Sequence, residues 1–266
     1  MKYYDRSTFR LLQIKSKATA DFWDQKWTLD EVGTFNPQSV APFLDLTRRY
    51  LAPGSLVLEG GCGTGGKVAA LESAGFRTIG VDYAKETVAR LNNACPQLDI
   101  REGDVFSLGF ADGHFDGYWS FGVIEHFWGG YQSIFDEARR VLRDNGCFFL
   151  TVPCMSPLRR LKATLGLYPS WGGGEREPEG FYQFMLPLDE IHAALANTGF
   201  QVLESSVIQA ASGAKQECAA LWKLAEILAK LMGGGNVLYS HWAENMLGGA
   251  IGHIAVIAAQ LKKTDQ

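Results

Sequence analysis

The sequence is poor in the features that would mark a disulfide scaffold, a metal protein, a membrane protein or a polyanion binder. Its 266 residues include five cysteines, Cys62, Cys95, Cys147, Cys154 and Cys218. They form no CxxC pair and no metal-ligand spacing, and an odd number suits reduced thiols better than a disulfide framework. No bound metal is expected. No uninterrupted apolar run is long enough to cross a bilayer, and the first stretch, MKYYDRSTFRLLQIKSKATADFWDQKW, lacks the apolar centre of a signal peptide. A cytoplasmic location is the expectation. Basic charge is not in excess either: 25 Lys and Arg stand against 29 Asp and Glu, for a net charge of -4 and a pI of about 5.8. The field of the whole chain therefore does not favour a polyanion, and nucleic acid is a weak candidate partner. Tandem repeats and low-complexity tails are missing as well.

What is present is alternation. SLVLE is short, branched and apolar, as suits a parallel strand buried on both faces, and TGGKVAALESAG after it reads as a helix with Gly75 past its end. FRTIGVD, AKETVARLNNA, LDIREGDV, HFDGYWSFGV, YQSIFDEARRVLRDNG and CFFLTVP continue the pattern of strand with helix or loop. Such a rhythm predicts a Rossmann-like, doubly wound α/β sheet with right-handed crossovers. A helix of roughly residues 38–51 precedes it. One domain spanning 1–266 is expected, with 1–37 as an N-terminal cover segment. Two stretches interrupt the alternation, 153–187 with five prolines and a triple glycine, and 211–249 with a second triple glycine; both are expected to be cap or lid insertions. LDEIHAALANTGFQVLESSVI restores a helix and a strand between them, and GHIAVIAAQLKK reads as a final strand.

The chemistry concentrates in LVLEGGCGTGG. Gly61, Gly63 and Gly66 satisfy GxGxxG after a strand and before a helix, where glycines permit a sharp turn and let a ligand lie against the main chain. Glu59 ends the strand two residues before the first of them, a poor neighbour for a pyrophosphate and a better one for a cationic amino group. Asp82 ends the second strand, where an acid accepts hydrogen bonds from ribose hydroxyls. Asp104 and the Val105 amide, after the third strand, suit an adenine edge. Three acids at three adjacent strand ends describe a site for an adenosine carrying an amino acid.

In order and spacing, LEGGCGTGG, IGVDYA, EGDVFSLGFADGHFDGYWSFGVIEHF and EARRVLRDNGCFFLTVP resemble the successive motifs of class I S-adenosylmethionine-dependent methyltransferases, over roughly residues 38–153. The resemblance implies a seven-stranded sheet whose last strand is antiparallel, and S-adenosylmethionine as cofactor. It also implies that Glu59, Gly61, Cys62 and Gly63 line the methionine part, Asp82 the ribose, Tyr83 a face of the adenine, and Asp104 with Val105 its edge; Ser120 to Gly122 would lie beside the sulfonium. Glu59 stands where the family more often has Asp, and Gly60 where a bulkier apolar residue is usual.

The reaction so implied is in-line displacement of a methyl group, for which alignment and desolvation matter most. His126 in VIEHF is the candidate general base or pocket residue, and Glu125 a candidate for orienting the loop. His192 reads as a surface or packing residue, His253 as structural and His241 as an outside candidate for an acceptor contact. Trp23, Trp27, Trp171, Phe181, Tyr182 and Trp242 are candidates for the walls of an acceptor pocket. LRRLKATLGL leaves peripheral contact with a lipid or phosphate open. The leading expectation is a methyltransferase acting on a small molecule: a sugar, a glycolipid precursor, a quinone-like lipid or another secondary metabolite. A nucleic-acid (RNA) methyltransferase is the enzyme alternative, although SFGV stands where amino-group methylases of bases carry an Asn/Asp-Pro-Pro-aromatic motif. A noncatalytic regulator that binds the cofactor is another. A nicotinamide-dependent oxidoreductase would share the glycine turn, and Glu59 speaks against it.

Overall fold

The computed structural model describes residues 1–27, 33–219, 222–223, 227 and 248–262. Among them, seven strands build the main sheet: β3 (Leu56–Gly60), β4 (Arg77–Asp82), β5 (Asp99–Glu102), β6 (Phe115–Phe121), β7 (Leu142–Pro153), β9 (Phe200–Ile208) and β10 (Ile254–Leu261). Their order is β5-β4-β3-β6-β7-β10-β9. β10 runs antiparallel to both of its neighbours, while β3 pairs parallel with β4 and β6. The expected Rossmann-like architecture with a reversed last strand is what the chain forms.

Side chains alternate across the sheet with a period of two. Tyr118 and Phe148 enter one apolar core, and their successors Trp119 and Phe149 enter the other. Onto the second face packs α2 (Pro37–Tyr50), capped by Asn36, whose side chain accepts the Gln38 amide. Its Thr47 Oγ1 accepts a 3.0 Å hydrogen bond from Trp119 Nε1, so the buried indole has a partner. The remaining crossover helices are α3 (Gly66–Ser73), α4 (Lys85–Ala94), α5 (Gln132–Val141) and α7 (Leu188–Asn197). α5 is shorter than the sequence pattern predicts: Leu142 leaves the helix in extended conformation and pairs with Phe115, and Asn145 turns the chain at φ 59°. Pairing with β6 outweighs the helical preference of the last turn.

The unusual Gly60 has a packing reason. A β-carbon there would stand 2.4 Å from the Tyr118 hydroxyl on the neighbouring strand, so the tyrosine fills the volume that a larger residue would take.

A second, three-stranded antiparallel sheet joins distant parts of the chain. β1 (Lys2–Asp5) pairs with β2 (Arg10–Ile14), and β2 pairs with β8 (Phe181–Met185) from the first expected insertion. α1 (Ala20–Lys26), capped by Thr19, follows β2; α6 (Pro157–Thr164) and α8 (Ala210–Glu217) belong to the two insertions. His241, Trp242 and the Gly233–Gly235 triplet lie outside the described residues, as do most of residues 218–232.

Candidate active site

At the end of β3 the chain turns through Gly61, Gly63 and Gly65, whose φ angles of 75°, 51° and 73° lie in the left-handed region that suits glycine. Asp82, at the end of β4, ties this turn down. Its Oδ2 accepts the Gly63 amide at 2.8 Å and its Oδ1 the Ala84 amide at 2.9 Å. Each oxygen keeps a lone pair for a further donor. Burial raises the Asp82 pKa, and the two amides oppose that rise. Glu59 is wholly buried behind the turn, with Lys67 Nζ 3.1 Å from its Oε1. Neither carboxylate oxygen has a well-aligned hydrogen bond, a costly state for a buried polar group. The Lys67 ammonium, at ion-pair distance, offsets part of that cost.

These elements open on a cavity of about 830 Å³ at the carboxyl edge of the sheet, where open α/β folds place their ligands. Gly61, Cys62, Gly63, Asp82 and Tyr83 line it at the β3–β4 end. Trp23 and Trp27 come over it from the N-terminal segment, their rings stacked with centroids 5.3 Å apart. A β-carbon on Gly63 would lie 3.3 Å from the Trp27 ring. Tyr83, 40% exposed, offers a ring beside Asp82 and donates its hydroxyl to the Ala18 carbonyl at 3.0 Å. The volume lies toward the upper end of the roughly 300–1,000 Å³ range of small-ligand pockets, so a second ligand has room beside the first.

The middle of the cavity is formed by the short 3-10 turn Ile124–His126 after β6. His126 Nδ1 lies 2.6 Å from the Tyr182 carbonyl oxygen. A carbonyl only accepts, so Nδ1 carries the hydrogen and Nε2 is the lone-pair nitrogen. The ring meets those of Trp23 and Tyr182 edge-on, at 5.3 and 5.0 Å. Burial, with help from the Lys26 charge, pushes the His126 pKa down to about 4 against the pull of the Tyr182 and Gly122 carbonyls. The imidazole is therefore neutral at physiological pH. Its neighbour Glu125 is buried, has an Oε2 without a partner, and is pushed up to about 8 by burial.

The sequence model of a family described as Methyltransferase domain matches residues 58–150. A probable S-adenosylmethionine-dependent methyltransferase of Mycolicibacterium smegmatis is 39% identical over 97 residues, 36% of this chain and 37% of that protein. Over residues 58–150 the chain is thus similar to S-adenosylmethionine-dependent methyltransferases. A thiopurine S-methyltransferase of Azotobacter vinelandii is 35% identical over 113 residues, covering 35% of this chain and half of that one. The chain thus spans little more than a third of the length of the mycobacterial relatives it matches. In fold, a solved S-adenosylmethionine-dependent methyltransferase from Methanosarcina mazei superposes on the chain with a TM-score of 0.56 at 16% identity, over 82% of this chain and 98% of that one.

Of the residues expected at the site, Gly61, Cys62, Gly63, Asp82, Tyr83 and His126 all face the cavity. Glu59 and Ser120 lie buried behind its lining, and Ser120 Oγ has no partner. Asp104 is exposed and accepts the Phe106 amide at 3.0 Å in its own turn, with Val105 buried beneath; neither lines the cavity. Burial pushes the Cys62 thiol well up, so it is not a nucleophile. Among the described residues no group of His, Cys, Asp or Glu is placed to hold a metal, and no helix is long and apolar enough to cross a membrane. His192 sits on α7 and meets Ser205 Oγ at 3.1 Å. His253, read from the sequence as structural, is buried with Nδ1 on the Gln209 carbonyl and also lines the cavity beside Lys2 and Arg159, two residues that sequence reasoning missed as site residues.

The Glu125 carboxyl gives a stability test. Its folded pKa of about 8 exceeds the ordinary 4.5, so the folded chain holds a proton that the unfolded chain releases. The resulting stabilisation is complete below pH 4.5 and is lost as pH rises through 8. Glu125→Gln is neutral throughout. Between about pH 5 and about pH 9 the variant is expected to gain on the order of 3 kcal/mol relative to the parent. Paired melting curves check this; a difference independent of pH would show that Glu125 ionises freely.

Proposed function

We propose that the chain transfers a methyl group from S-adenosylmethionine to a small-molecule acceptor, in the cytoplasm, with His126 as the proton acceptor. The observation that carries the reading is the left-handed glycine turn pinned by Asp82 at the cavity wall, where both Asp82 oxygens keep a lone pair for a ligand donor. That donor set suits an amino acid joined to a nucleoside. S-adenosylmethionine, when bound, supplies a methyl group already activated on a sulfonium. Glu59 and the backbone of Gly61 and Gly63 hold the amino-acid part, Asp82 accepts the ribose hydroxyls, and Tyr83 lies on the adenine.

What remains for the protein is to align the acceptor, exclude water and remove a proton. Trp23, Trp27 and Tyr182 supply apolar walls. The Tyr182 carbonyl fixes the His126 tautomer so that Nε2 can take the proton of an O–H or N–H acceptor. The segments 1–37 and 153–187 cover the site in this reading, consistent with the pairing of β2 with β8.

The test is to incubate the purified chain and methyl-labelled S-adenosylmethionine with a host extract split into polar metabolites, lipids, nucleic acids and proteins. Label is expected in the polar or lipid fraction. Label in nucleic acid would overturn the small-molecule reading, and S-adenosylhomocysteine binding without transfer to any fraction would favour a regulator.

A further inference from the structure

The cavity continues beyond His126 toward β7 and β10. From β4, where Asp82 lies, to β10 is four strand spacings, about 19 Å at about 4.8 Å each. At this far end Lys2, Gln13, Arg159, Gln216 and His253 line the wall. Behind them sits Glu217 at the end of α8, which does not line the cavity. Its Oε1 receives Lys2 Nζ at 2.6 Å and Arg159 Nε at 3.0 Å, and its Oε2 receives Lys162 Nζ at 2.7 Å and the Tyr168 hydroxyl. Three cations thus share one carboxylate. These bonds depress the Glu217 pKa strongly against its burial, while burial and the neighbouring Arg159 and Lys162 lower that of Lys2.

Among the described residues the cluster has an excess of two positive charges, and the excess faces the cavity. Arg159 is 1% exposed; Nε is taken by Glu217 and Nη1 donates to the Cys154 carbonyl at 2.7 Å, while Nη2 has no hydrogen bond to a described residue. Lys2 spends one of its three N–H groups on Glu217. Gln13 accepts from Gln183 through Oε1 at 3.3 Å, which leaves its NH₂ as a donor. His253 adds no further charge: Nδ1 donates to the Gln209 carbonyl at 3.2 Å, and burial pushes its pKa down to about 4. Uncompensated buried charge is expensive, and a structural ion cluster gains nothing from two surplus cations turned toward a void. An oxyanion between Arg159 Nη2, Lys2 Nζ and Gln13 Nε2 would supply the missing charge through charge-assisted hydrogen bonds.

We infer that the end of the cavity lined by Lys2, Arg159 and Gln13 is an anion subsite that holds a carboxylate or phosphate group of the methyl acceptor, apart from the reacting atom. The assignment rests on the methyl-transfer reading, which places the cofactor at the β3–β4 end.

The experiment titrates the full chain, with and without S-adenosylhomocysteine, with inorganic phosphate and with succinate by calorimetry, ionic strength being held with sodium chloride. Saturable binding of one of the two is expected; tighter phosphate marks a phosphoryl group, tighter succinate a carboxylate. Lys2→Gln is expected to weaken it about tenfold, and Arg159→Lys, which loses the planar fork, by a similar factor. Lys162→Gln removes an equal partner of Glu217 that does not face the cavity, and is expected to change it less than about twofold. Equal loss in the Lys2 and Lys162 variants would mean a merely structural cluster. Absence of any saturable anion binding while S-adenosylhomocysteine binds would overturn the subsite alone. Anion binding without S-adenosylhomocysteine binding would instead overturn the methyl-transfer reading. Once labelled product is in hand, its retention on an anion exchanger is expected, and a neutral or cationic product would overturn the acceptor assignment.

Discussion

Replacing Asp82 with alanine is expected to weaken S-adenosylhomocysteine binding by about a hundredfold or more. The carboxylate holds two amides at once, Gly63 across the turn and Ala84 at the start of α4. Charge-assisted hydrogen bonds contribute roughly 1.5–3 kcal/mol each, and a tenfold change in affinity is about 1.4 kcal/mol. The two ribose contacts assigned to the same oxygens in the bound state would alone account for two decades. Because the variant also releases the Gly63 amide, the turn loses the anchor that holds it at φ 51°, and part of the loss is conformational. Asp82→Asn separates these contributions. Its single carbonyl oxygen can hold one amide, while its NH₂ faces the other as donor against donor, so an intermediate loss is expected. Calorimetry well below the melting temperature of each variant is the measurement. Unchanged affinity in Asp82→Ala would remove the ribose role and leave Asp82 a purely structural clamp.

The parts of this site that could be read from sequence are those whose partners are close in the chain or periodic. Strand and helix alternation is a local signal: branched apolar runs such as LVLE and a helix-ending glycine such as Gly75 state where elements begin and end. The glycine turn and Asp82 are legible because the strand ends bring them to one edge of any doubly wound sheet. The Glu217 cluster is different. Its partners Lys2, Arg159, Lys162 and Tyr168 are 215, 58, 55 and 49 residues away, and no local pattern announces such a meeting. The small sheet of β1, β2 and β8 is likewise hidden, because β2 and β8 are joined across most of the fold, with Leu11 opposite Met185. Its formation explains why 153–187 does not behave as a free-standing insertion: β8 needs an N-terminal hairpin to complete its hydrogen bonds. Asp104 shows the opposite difficulty. An acid after a strand suggests a ligand, yet the same residue type closes its own turn, as Asp104 does with the Phe106 amide.

His126→Gln is expected to lower kcat by about a hundredfold or more while leaving S-adenosylhomocysteine affinity unchanged, because general base catalysis typically contributes 10²–10⁴. The ring has two separable duties, to pack and to accept a proton. Packing is shared with Trp23 and Tyr182, whose rings it meets edge-on. His126→Phe keeps an aromatic ring of similar shape and removes Nε2. If proton acceptance is the duty that matters, phenylalanine and glutamine variants fall together; if packing matters, phenylalanine retains most of the activity and overturns the assignment. The pH profile gives an independent reading. A base held near 4 is deprotonated through the neutral range, so kcat/KM of the parent is expected to rise as pH increases through about 4 and to be level by neutrality. An unburied histidine would place that rise near its ordinary 6.5. The low basicity is a consequence of the apolar surroundings that also exclude water. It suits a reaction whose electrophile is already activated, because the proton need only leave as the new bond forms, and a weak base positioned by the Tyr182 carbonyl is sufficient for that.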